Sequence, residues 1–432
     1  QTIKAPYHET NGGKWVFTPL DRTCLDMVIK GTWLFTYRID AETLKGSLAV
    51  ILGLYPHLSG RINPGGYVDM NNEGVSFSVD HKPSATLDDI RRDDGAADRY
   101  STGIDLRKAK KGEAPLLAVT LTHLKDGSVL SVHCAHVCMD GSAFYSMMRN
   151  WALISRGGPV KPPVMDQSLV PVPDGQLSKE AVMDEVAGMG WHGVSFTLLL
   201  SHIWQGITGV AKTRTKAIHI PDEVITRLKE SVSQRSGKQY GNHAVLSALI
   251  ARMCLELSGV PDGAECSVLS VVDARGRAGN IPPGFAGNAV SNIPSESFNA
   301  AASPEAVAQA VDGRLKEILS DPGKLGHYML LNMYAMEYKL PLVPFDLKGM
   351  NSKRPTTIYI NNFSRFPMYD IDFGHGRPVQ IIPHDLPDMV KLFPTPDGQG
   401  VDIYLMGYPA KYYNRIKDKE KWLEGVIARA SE

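Results

Sequence analysis

The sequence predicts an α/β protein with two lobes that are joined by an extended crossover. Its 432 residues are enough for two or three domains of ordinary size. Strand-like alternation and helix-like periodicity interleave along both halves of the chain. Between the halves, residues 157–175 are rich in proline and glycine, which indicates the start of a crossover. We therefore divide the chain into an N-terminal lobe of residues 1–160, a crossover of residues 161–212 and a C-terminal lobe of residues 213–432.

The N-terminal lobe is predicted to contain a helix, a hairpin and a second helix. The periodicity of Ala41–Leu54 indicates an amphipathic helix. Leu116–Thr122 and Val129–His136 alternate as strands, and Lys125-Asp126-Gly127 between them is a hairpin turn signal. The next helix, Ser142–Ser155, places its large apolar side chains on one face.

The later elements repeat this alternation. Ser178 is predicted to cap a helix inside the crossover, and Ser303-Pro304-Glu305 is a strong helix start, because a capping residue precedes a proline and an acid. The remaining predicted elements are helices over Pro221–Gln234, His243–Ser258 and Lys411–Ala430, and strands over Cys266–Asp273, Thr356–Asn361 and Val401–Met406.

Composition narrows the class of partner. Lys plus Arg and Asp plus Glu both number 46, and this balance argues against nucleic acid, which rewards a basic excess. No apolar run reaches the roughly 18 residues that span a bilayer, and no secretory signal is visible. Five scattered cysteines favour a reducing compartment. We expect a cytoplasmic protein that binds small molecules.

One motif indicates a candidate catalytic residue without reference to the rest of the sequence. His136 ends the second hairpin strand, and Asp140 and Gly141 follow with the spacing H-x-x-x-D-G. His136 lies at the end of an apolar stripe, where burial favours the neutral imidazole that a general base needs. Asp140 either orients this imidazole or anchors the turn through a distant cation. The alternative is a buried histidine with a purely structural role.

A metal site is a second interpretation of the same stretch. The available ligands are His133, Cys134, His136, Cys138 and Asp140. His133 and His136 point to opposite faces of a strand, and no second cluster of histidine and cysteine exists, so we expect no metal. The motifs G-x-S-x-G, H-E-x-x-H and G-x-x-x-x-G-K-[ST] are absent.

Five further segments resemble motifs of one enzyme family. In chain order they are Y-P-H-L-S-G-R at 55–61, P-P-V-M-D-Q-S at 162–168, V-D-A-R-G-R at 272–277, P-P-G-F-A-G-N at 282–288 and D-F-G-H-G-R-P at 372–378. Together with H-x-x-x-D-G they resemble the BAHD acyltransferases over nearly the whole chain. The resemblance implies a chloramphenicol acetyltransferase-like fold, in which each lobe is a mixed sheet with flanking helices.

The resemblance also implies a reaction. A monomeric enzyme would transfer an acyl group from acyl-CoA, its co-substrate, directly to an alcohol or amine, without a permanently bound cofactor. His136 would take the proton of the acceptor. Asp140 would point away from the substrates and pair with Arg275, and Arg277 is the alternative partner.

Other site residues follow from the resemblance alone. Asn361, Asn362 and Phe363 would line the reaction centre, where an asparagine donates to the oxyanion or satisfies a strand end. The CoA candidates are Arg235, Lys238, Gly241, Asn242 and Asn288. The late motif would be structural and comprises Asp372, Phe373, Gly374, His375 and Gly376, in which His375 replaces the family's tryptophan. Ala286 and the lack of a neighbouring cysteine make a malonyl donor less expected.

Two alternatives remain open. A condensation-type domain with carrier-bound donors shares the fold, but it usually has a second histidine where this chain has Ala135. A non-catalytic binding protein on the same scaffold would not need His136, Asp140 and Gly141. The acceptor would contact the crossover and a loop near Asp26 to Trp33.

Overall fold

The protein, described by a computed structural model, alternates strands and helices along residues 1–6, 13–92, 96–194, 217–343, 356–384, 389–406 and 419–431. The strands in these ranges are β1 (Thr2–Ile3), β2 (Lys14–Val16), β3 (Val28–Phe35), β4 (Arg61–Asn63), β5 (Tyr67–Asp69), β6 (Val75–Lys82), β7 (Leu117–Leu124), β8 (Ser128–Ala135), β9 (His192–Gly193), β10 (Ala217–Ile220), β11 (Glu265–Asp273), β12 (Val290–Pro294), β13 (Phe298–Asn299), β14 (Leu342–Val343), β15 (Thr357–Asn362), β16 (Gln380–Ile382), β17 (Met389–Pro394) and β18 (Val401–Met406). The α-helices are α1 (Pro19–Thr23), α2 (Ala41–Leu54), α3 (Leu87–Arg92), α4 (Ala96–Arg99), α5 (Leu106–Ala109), α6 (Gly141–Ser155), α7 (Lys179–Ala187), α8 (Asp222–Ser236), α9 (Asn242–Ser258), α10 (Pro304–Leu319), α11 (Pro322–Glu337) and α12 (Lys419–Ser431). Short 3-10 helices cover Pro56–Ser59, His136–Cys138 and Gln167–Leu169.

The chain forms two compact units, and neither is a continuous stretch. The first comprises Gln1–Val172, Asp273–Ala289 and Phe366–His384, and the second comprises Pro173–Val272, Val290–Arg365 and Asp385–Glu432. These units do not follow the continuous boundaries expected from the sequence, since P-P-G-F-A-G-N at 282–288 and D-F-G-H-G-R-P at 372–378 both belong to the first unit. Part of the predicted crossover, residues 195–212, lies outside the described residues.

A mixed sheet organises the first unit. Its strand order is β1-β6-β7-β8-β3-β16, with β6 and β7 parallel and the other neighbours antiparallel. Strand β16 pairs with β3, and this pairing explains why residues near 380 belong to this unit. Strands β7 and β8 form the predicted hairpin, and both are buried along their whole length. The predicted loop near Asp26 to Trp33 is mostly strand β3, because its β-branched and aromatic residues pair with all of β8.

Helices α2 and α6 form where the sequence predicts helices, and they pack against each other. Asp40 caps α2 by accepting a hydrogen bond from the Thr43 amide at 2.7 Å. On α6 the predicted apolar face is buried, and its Trp151 indole donates to the Ser47 hydroxyl of α2 at 2.9 Å. A buried indole needs such a partner for its N–H, so this bond fixes how the two helices pack.

The second unit contains its own mixed sheet. The strand order is β10-β18-β17-β15-β11-β12, in which β15 is parallel to both β11 and β17. Helix α9 is buried along most of its length and packs against α10. Ser303 caps α10 through the Ala306 amide at 3.3 Å, as predicted. No helix within the described ranges combines the length and the hydrophobicity needed to cross a membrane.

Part of the crossover is anchored within the second unit. Ser178 caps α7, as predicted, by accepting from the Ala181 amide at 3.2 Å. The Tyr334 hydroxyl of α11 accepts hydrogen bonds from the amides of Asp174 and Gln176, each at 3.1 Å. One phenol therefore satisfies two main-chain donors that lie about 160 residues earlier in the chain.

His57 gives the first unit a specific sensitivity to acid. It is fully buried beside Trp15, with ring centroids 4.4 Å apart. Burial lowers the pKa of His57 from 6.5 to about 3, although the Cys138 main chain acts to raise this pKa by a smaller amount. The unfolded chain therefore binds this proton more readily, and stability falls as the pH drops from about 6.5 towards 3.

We expect His57→Leu to reduce this acid sensitivity. Between pH 7 and pH 5 the unmodified protein should lose about 2 kcal/mol more unfolding free energy than the variant. Urea titrations at the two pH values measure this difference. His375→Leu, which removes an exposed imidazole, is the control and should leave the pH dependence unchanged. Equal pH dependence of His57→Leu and the unmodified protein would contradict the assignment.

Candidate active site

The main chain holds His136 on both sides. Strand β8 ends at Ala135, one residue earlier than predicted, and His136 begins a 3-10 turn. Its amide donates to the Met27 carbonyl at 2.9 Å, and its carbonyl accepts from Asn288 Nδ2 at 2.9 Å. The side chain is half-buried, and its Nδ1 atom is buried without a hydrogen-bond partner among the described residues. Because the ring is only half-buried and Nδ1 is enclosed, we infer that Nε2 is the ring nitrogen available to a substrate.

Asp140 anchors the turn below His136. Its Oδ1 atom accepts from the Ala143 amide at 3.0 Å and caps α6, which begins at Gly141. Its Oδ2 atom accepts from Arg275 Nη1 at 2.9 Å and from the Ala289 amide at 2.8 Å. Of the two roles that the sequence left open, the geometry matches anchoring through a distant cation.

Arg275 is the centre of a buried polar cluster. Its guanidinium donates to Asp140, to Asp273 Oδ1 at 3.0 Å and to the Phe285 carbonyl at 2.9 Å, and only 4% of its side chain is exposed. Burial acts to lower the pKa of Arg275, but the Asp140 and Asp273 carboxylates outweigh it and raise the pKa. The alternative partner, Arg277, is exposed and donates to the Asp273 carbonyl instead.

Asn288, one of the predicted CoA candidates, directs its side-chain amide hydrogens to protein acceptors. It is buried, and its Nδ2 atom donates both to Asp21 Oδ1 at 2.8 Å and to the His136 carbonyl. We therefore withdraw Asn288 from the CoA candidates. The reason is physical, because both amide hydrogens already have protein acceptors.

Asp21 is a site residue that the sequence did not reveal. It is 1% exposed, and burial raises its pKa to about 6 despite hydrogen bonds from Asn288 and Thr18. The Thr18 amide and hydroxyl both donate to Asp21 Oδ2 at 2.9 Å. The spacing of Thr18 and Asp21 matches a capping box, which signals a helix start but not a bond to a residue 267 positions later.

The late motif forms a tight loop in the first unit. Asp372 Oδ1 accepts from the amides of Gly374 and Gly376 at 2.8 and 2.9 Å. These glycines have φ angles of 118° and 117°, a region that residues with a Cβ atom avoid. The local geometry explains why the motif needs glycine at both positions.

Aromatic side chains fix this loop to the core. Phe373 is buried and packs edge-on against Phe35 and Trp151. His375, which replaces the family's tryptophan, is exposed and lies edge-on to Tyr37, with ring centroids 5.3 Å apart. These contacts match a structural role for the motif.

The oxyanion candidates end strand β15 in the second unit. Asn361 and Asn362 are successive strand residues, so their side chains point to opposite faces and cannot serve one oxyanion together. Asn362 Oδ1 accepts from the Ser364 amide at 3.0 Å, and its Nδ2 lies 3.2 Å from His243 Nδ1. Burial lowers the pKa of His243 to about 4, so that it stays a neutral acceptor. Phe363 packs edge-on against a neighbouring phenylalanine of β17.

The remaining CoA candidates lie around the start of α9. Arg235 forms an ion pair with Glu305, which counts against a free role in phosphate binding. Lys238, Gly241 and Asn242 are exposed. Asn242 also lines a cleft of about 650 Å³ in the second unit. The other residues lining this cleft are Asp222, Ile225, Thr226, Lys229, Glu230, Ser233, Gln234 and Gln239. The negative charges of Asp222 and Glu230 therefore outweigh the positive charge of Lys229.

Two of the side chains considered as metal ligands have other neighbours in the structure. His133 is buried and lies edge-on to His384, with ring centroids 5.5 Å apart, and Asp140 is occupied by Arg275. Within the ranges described, no three or more His, Cys, Asp or Glu side chains come together as metal ligands.

Comparisons with known proteins identify the family and the fold. Residues 18–419 match the model of a family described as the Transferase family. Rosmarinate synthase from Plectranthus scutellarioides is 28% identical over 84% of this chain and 83% of its own length. Vinorine synthase shares the fold with a TM-score of 0.68 at 17% identity, covering 100% of this chain and 98% of that one.

A second structural neighbour contains the co-substrate. TRI101 from F. graminearum, complexed with coenzyme A and T-2 mycotoxin, has a TM-score of 0.72 at 15% identity, and the match covers 95% of this chain and 98% of that one. The predicted two-lobed α/β fold is thereby confirmed. With the family model matching nearly the whole chain, the protein belongs to this transferase family, the BAHD acyltransferases, and is an acyl-CoA-dependent acyltransferase.

Proposed function

We propose that this enzyme transfers an acyl group from a CoA thioester to a hydroxyl or amine of a small metabolite, with His136 as the general base. One observation carries the proposal: in the H-x-x-x-D-G turn the imidazole is half-buried and its Nδ1 atom is enclosed, so that Nε2 is the nitrogen left for the acceptor. A proton on the buried Nδ1 leaves a lone pair on Nε2, which is the form that a base requires.

The chemistry needs a single proton carrier. Nε2 of His136 takes the proton of the acceptor as its oxygen or nitrogen attacks the thioester carbonyl. The tetrahedral oxyanion then collapses, the carbon–sulfur bond breaks, and the departing CoA sulfur receives the proton from the same nitrogen. A positioned base of this kind contributes about 10²- to 10⁴-fold to the rate.

Direct transfer is favoured over an acyl-enzyme on cysteine. Cys134 and Cys138 flank His136 in sequence, and both are fully buried. A hydrogen bond with Cys134, together with burial, raises the pKa of the Cys138 thiol. A buried thiol with a raised pKa is a poor nucleophile, because the thiolate is the reactive form.

Asp140, Gly141 and Arg275 would have supporting roles. The carboxylate caps α6 and binds the guanidinium, so it shapes the turn that presents His136. For CoA we retain Lys238, Gly241 and Asn242 as candidates, because they are exposed at the start of a long helix whose amides attract phosphate. For the oxyanion we retain Asn361 and Asn362 as alternatives to each other.

The names of relatives guide the choice of donors. Besides rosmarinate synthase they include hydroxycinnamoyltransferases from rice and daffodil at 26% and 24% identity. We therefore propose aromatic acyl-CoA donors for testing beside acetyl-CoA. Ala286 argues against malonyl-CoA, which serves as the negative donor.

The proposed function is tested by thiol release. The enzyme is mixed with each acyl-CoA and a panel of alcohols and amines, free CoA is measured with a thiol reagent, and products are identified by mass. We expect acceptor-dependent CoA release. Calorimetry with CoA runs in parallel. Binding of CoA without release from any donor would support the non-catalytic alternative, and turnover of carrier-bound donors alone would support a condensation-type domain.

We also propose that the enzyme is a monomer of the cytoplasm. None of the five cysteines forms a disulfide and all are buried, which supports a reducing compartment. Light scattering after size exclusion should give a mass near 47.3 kDa. A mass of twice this value at micromolar concentration would contradict the monomer.

A further inference from the structure

We propose that Asp21 and Asn288 form a positioning pair that fixes the orientation of His136 through its main-chain carbonyl. The expected effect of this pair on catalysis rests on the function proposed above, whereas its effect on the His136 ring does not. The contacts themselves belong to the first unit and join α1, the 3-10 turn and the segment Asp273–Ala289.

The His136 ring needs an orienting device other than a carboxylate. In many catalytic sites a carboxylate accepts the Nδ1 proton and so fixes the imidazole. Here Nδ1 has no hydrogen-bond partner among the described residues, and the neighbouring Asp140 binds Arg275, Ala143 and Ala289 instead. The hydrogen bonds that constrain His136 are therefore those of its main chain.

The main chain supplies this orientation from two sides. The His136 amide donates to the Met27 carbonyl, and the His136 carbonyl accepts from Asn288, both at 2.9 Å. Two such bonds fix the peptide planes around one residue, and with them the direction of its Cα–Cβ bond. Without the Asn288 bond, only one of these two constraints remains.

Asp21 determines which way the Asn288 amide points. Nδ2 lies between two acceptors, Asp21 Oδ1 and the His136 carbonyl, whereas Oδ1 of Asn288 is buried and has no partner among the described residues. A flipped amide would place its oxygen against both acceptors, which is unfavourable. The carboxylate thus keeps the amide hydrogen directed at the carbonyl of the base.

The contacts of Asp21 fit its ionised form. Besides Asn288, it accepts from the Thr18 amide, the Thr18 hydroxyl and Gln167 Nε2, the last at 3.3 Å. All of these groups are donors, so a proton on the carboxyl would replace one accepted bond. With its pKa raised to about 6 by burial, Asp21 is ionised above that pH.

Other titratable groups act on Asp21 from the adjoining elements. Asp140 disfavours its charge, but Asp140 is itself paired with Arg275. The thiols of Cys24 and Cys138 also interact with Asp21, and burial contributes to a raised pKa in both. They are therefore neutral where the enzyme would work, and Asp21 is the group whose charge changes near pH 6.

The first experiment measures the NMR signals of the His136 ring and does not depend on activity. In protein labelled with ¹³C and ¹⁵N at histidine, the His136 ring signals are assigned by their loss in His136→Ala. We expect one sharp set in the unmodified protein and shifted or broadened signals in Asn288→Ala. Trp151→Phe, which loses a core hydrogen bond elsewhere in this unit, is the control for general destabilisation and should leave these signals unchanged.

The second experiment measures the catalytic consequence. For Asn288→Ala we expect kcat to fall about 10- to 100-fold, with the KM for acyl-CoA changed less than about threefold. The double variant with Asp21→Asn should be no slower than Asn288→Ala alone, because both substitutions break one chain of contacts. Trp151→Phe should keep kcat.

A variant that introduces an ionisable group at the same position keeps the test informative if Asn288→Ala misfolds. In Asn288→Asp the new carboxyl can donate only when it is protonated, so its activity optimum should move to lower pH than that of the unmodified enzyme. Unchanged ring signals in Asn288→Ala would overturn the positioning pair. Changed ring signals with an unchanged kcat would leave the pair in place and refute His136 as the base.

Discussion

Replacing His136 by alanine is expected to lower kcat by about 10²- to 10⁴-fold for every acceptor that the enzyme converts. The half-buried ring carries the accessible nitrogen in the H-x-x-x-D-G turn, and the adjacent Asp140 is already committed to Arg275. No second base is at hand in this turn. Because the side chain makes no described hydrogen bond, its removal should cost little stability.

Steady-state kinetics with a saturating donor measure this effect. His375→Ala is the matched control, since it removes another loop histidine of the first unit that is exposed. We expect the control to stay within about twofold of the unmodified kcat. If His136→Ala matched the control for each converted acceptor, the base would have to lie elsewhere. Partial recovery by added imidazole would strengthen the assignment.

Arg275→Ala should lower the free energy of unfolding by about 3–5 kcal/mol. Asp140 and Arg275 are 2% and 4% exposed, so removing the guanidinium leaves a carboxylate without compensation in a low dielectric. The Phe285 carbonyl loses its donor at the same time. Arg275→Lys should recover only part of this loss, because one ammonium cannot reproduce the planar set of donors.

Urea denaturation at pH 7 measures the loss, with Arg277→Ala as the matched control. Arg277 is exposed and only two residues away, so its removal should cost less than about 0.5 kcal/mol. Equal losses of unfolding free energy in the two variants would show that the buried pair of Asp140 and Arg275 stabilises the protein no more than the exposed Arg277 does. For the protein that remains folded, we expect kcat to fall far less than in His136→Ala, since Arg275 acts on the turn and not on the ring.

The sequence predicts local structure well because local signals determine it. Helix α2 has its predicted bounds, and Ser178 and Ser303 cap their helices because a hydroxyl can satisfy amides within three residues of itself. The partner of Asp140 also follows from the sequence, but through resemblance to a family and not through any local pattern.

What the sequence does not reveal depends on distant partners. Strand β16 has only three residues, and its pairing with β3 moves the late motif into the first unit. Arg235 is a residue type that often binds phosphate, yet it forms an ion pair with Glu305, which lies 70 positions later in the chain. Asn288 likewise meets Asp21 across most of the chain. Propensity and periodicity carry no information about such choices.

The discontinuous first unit has a consequence for biosynthesis. Asp140 leaves the ribosome long before Arg275, and strand β16 begins about 105 residues after Arg275. Chains grow at about 5–20 residues per second. For several seconds the nascent turn around His136 therefore holds the Asp140 carboxylate without its arginine partner. This turn can acquire its buried ion pair only after Arg275 has emerged, and a chain that stalls before that point cannot acquire it.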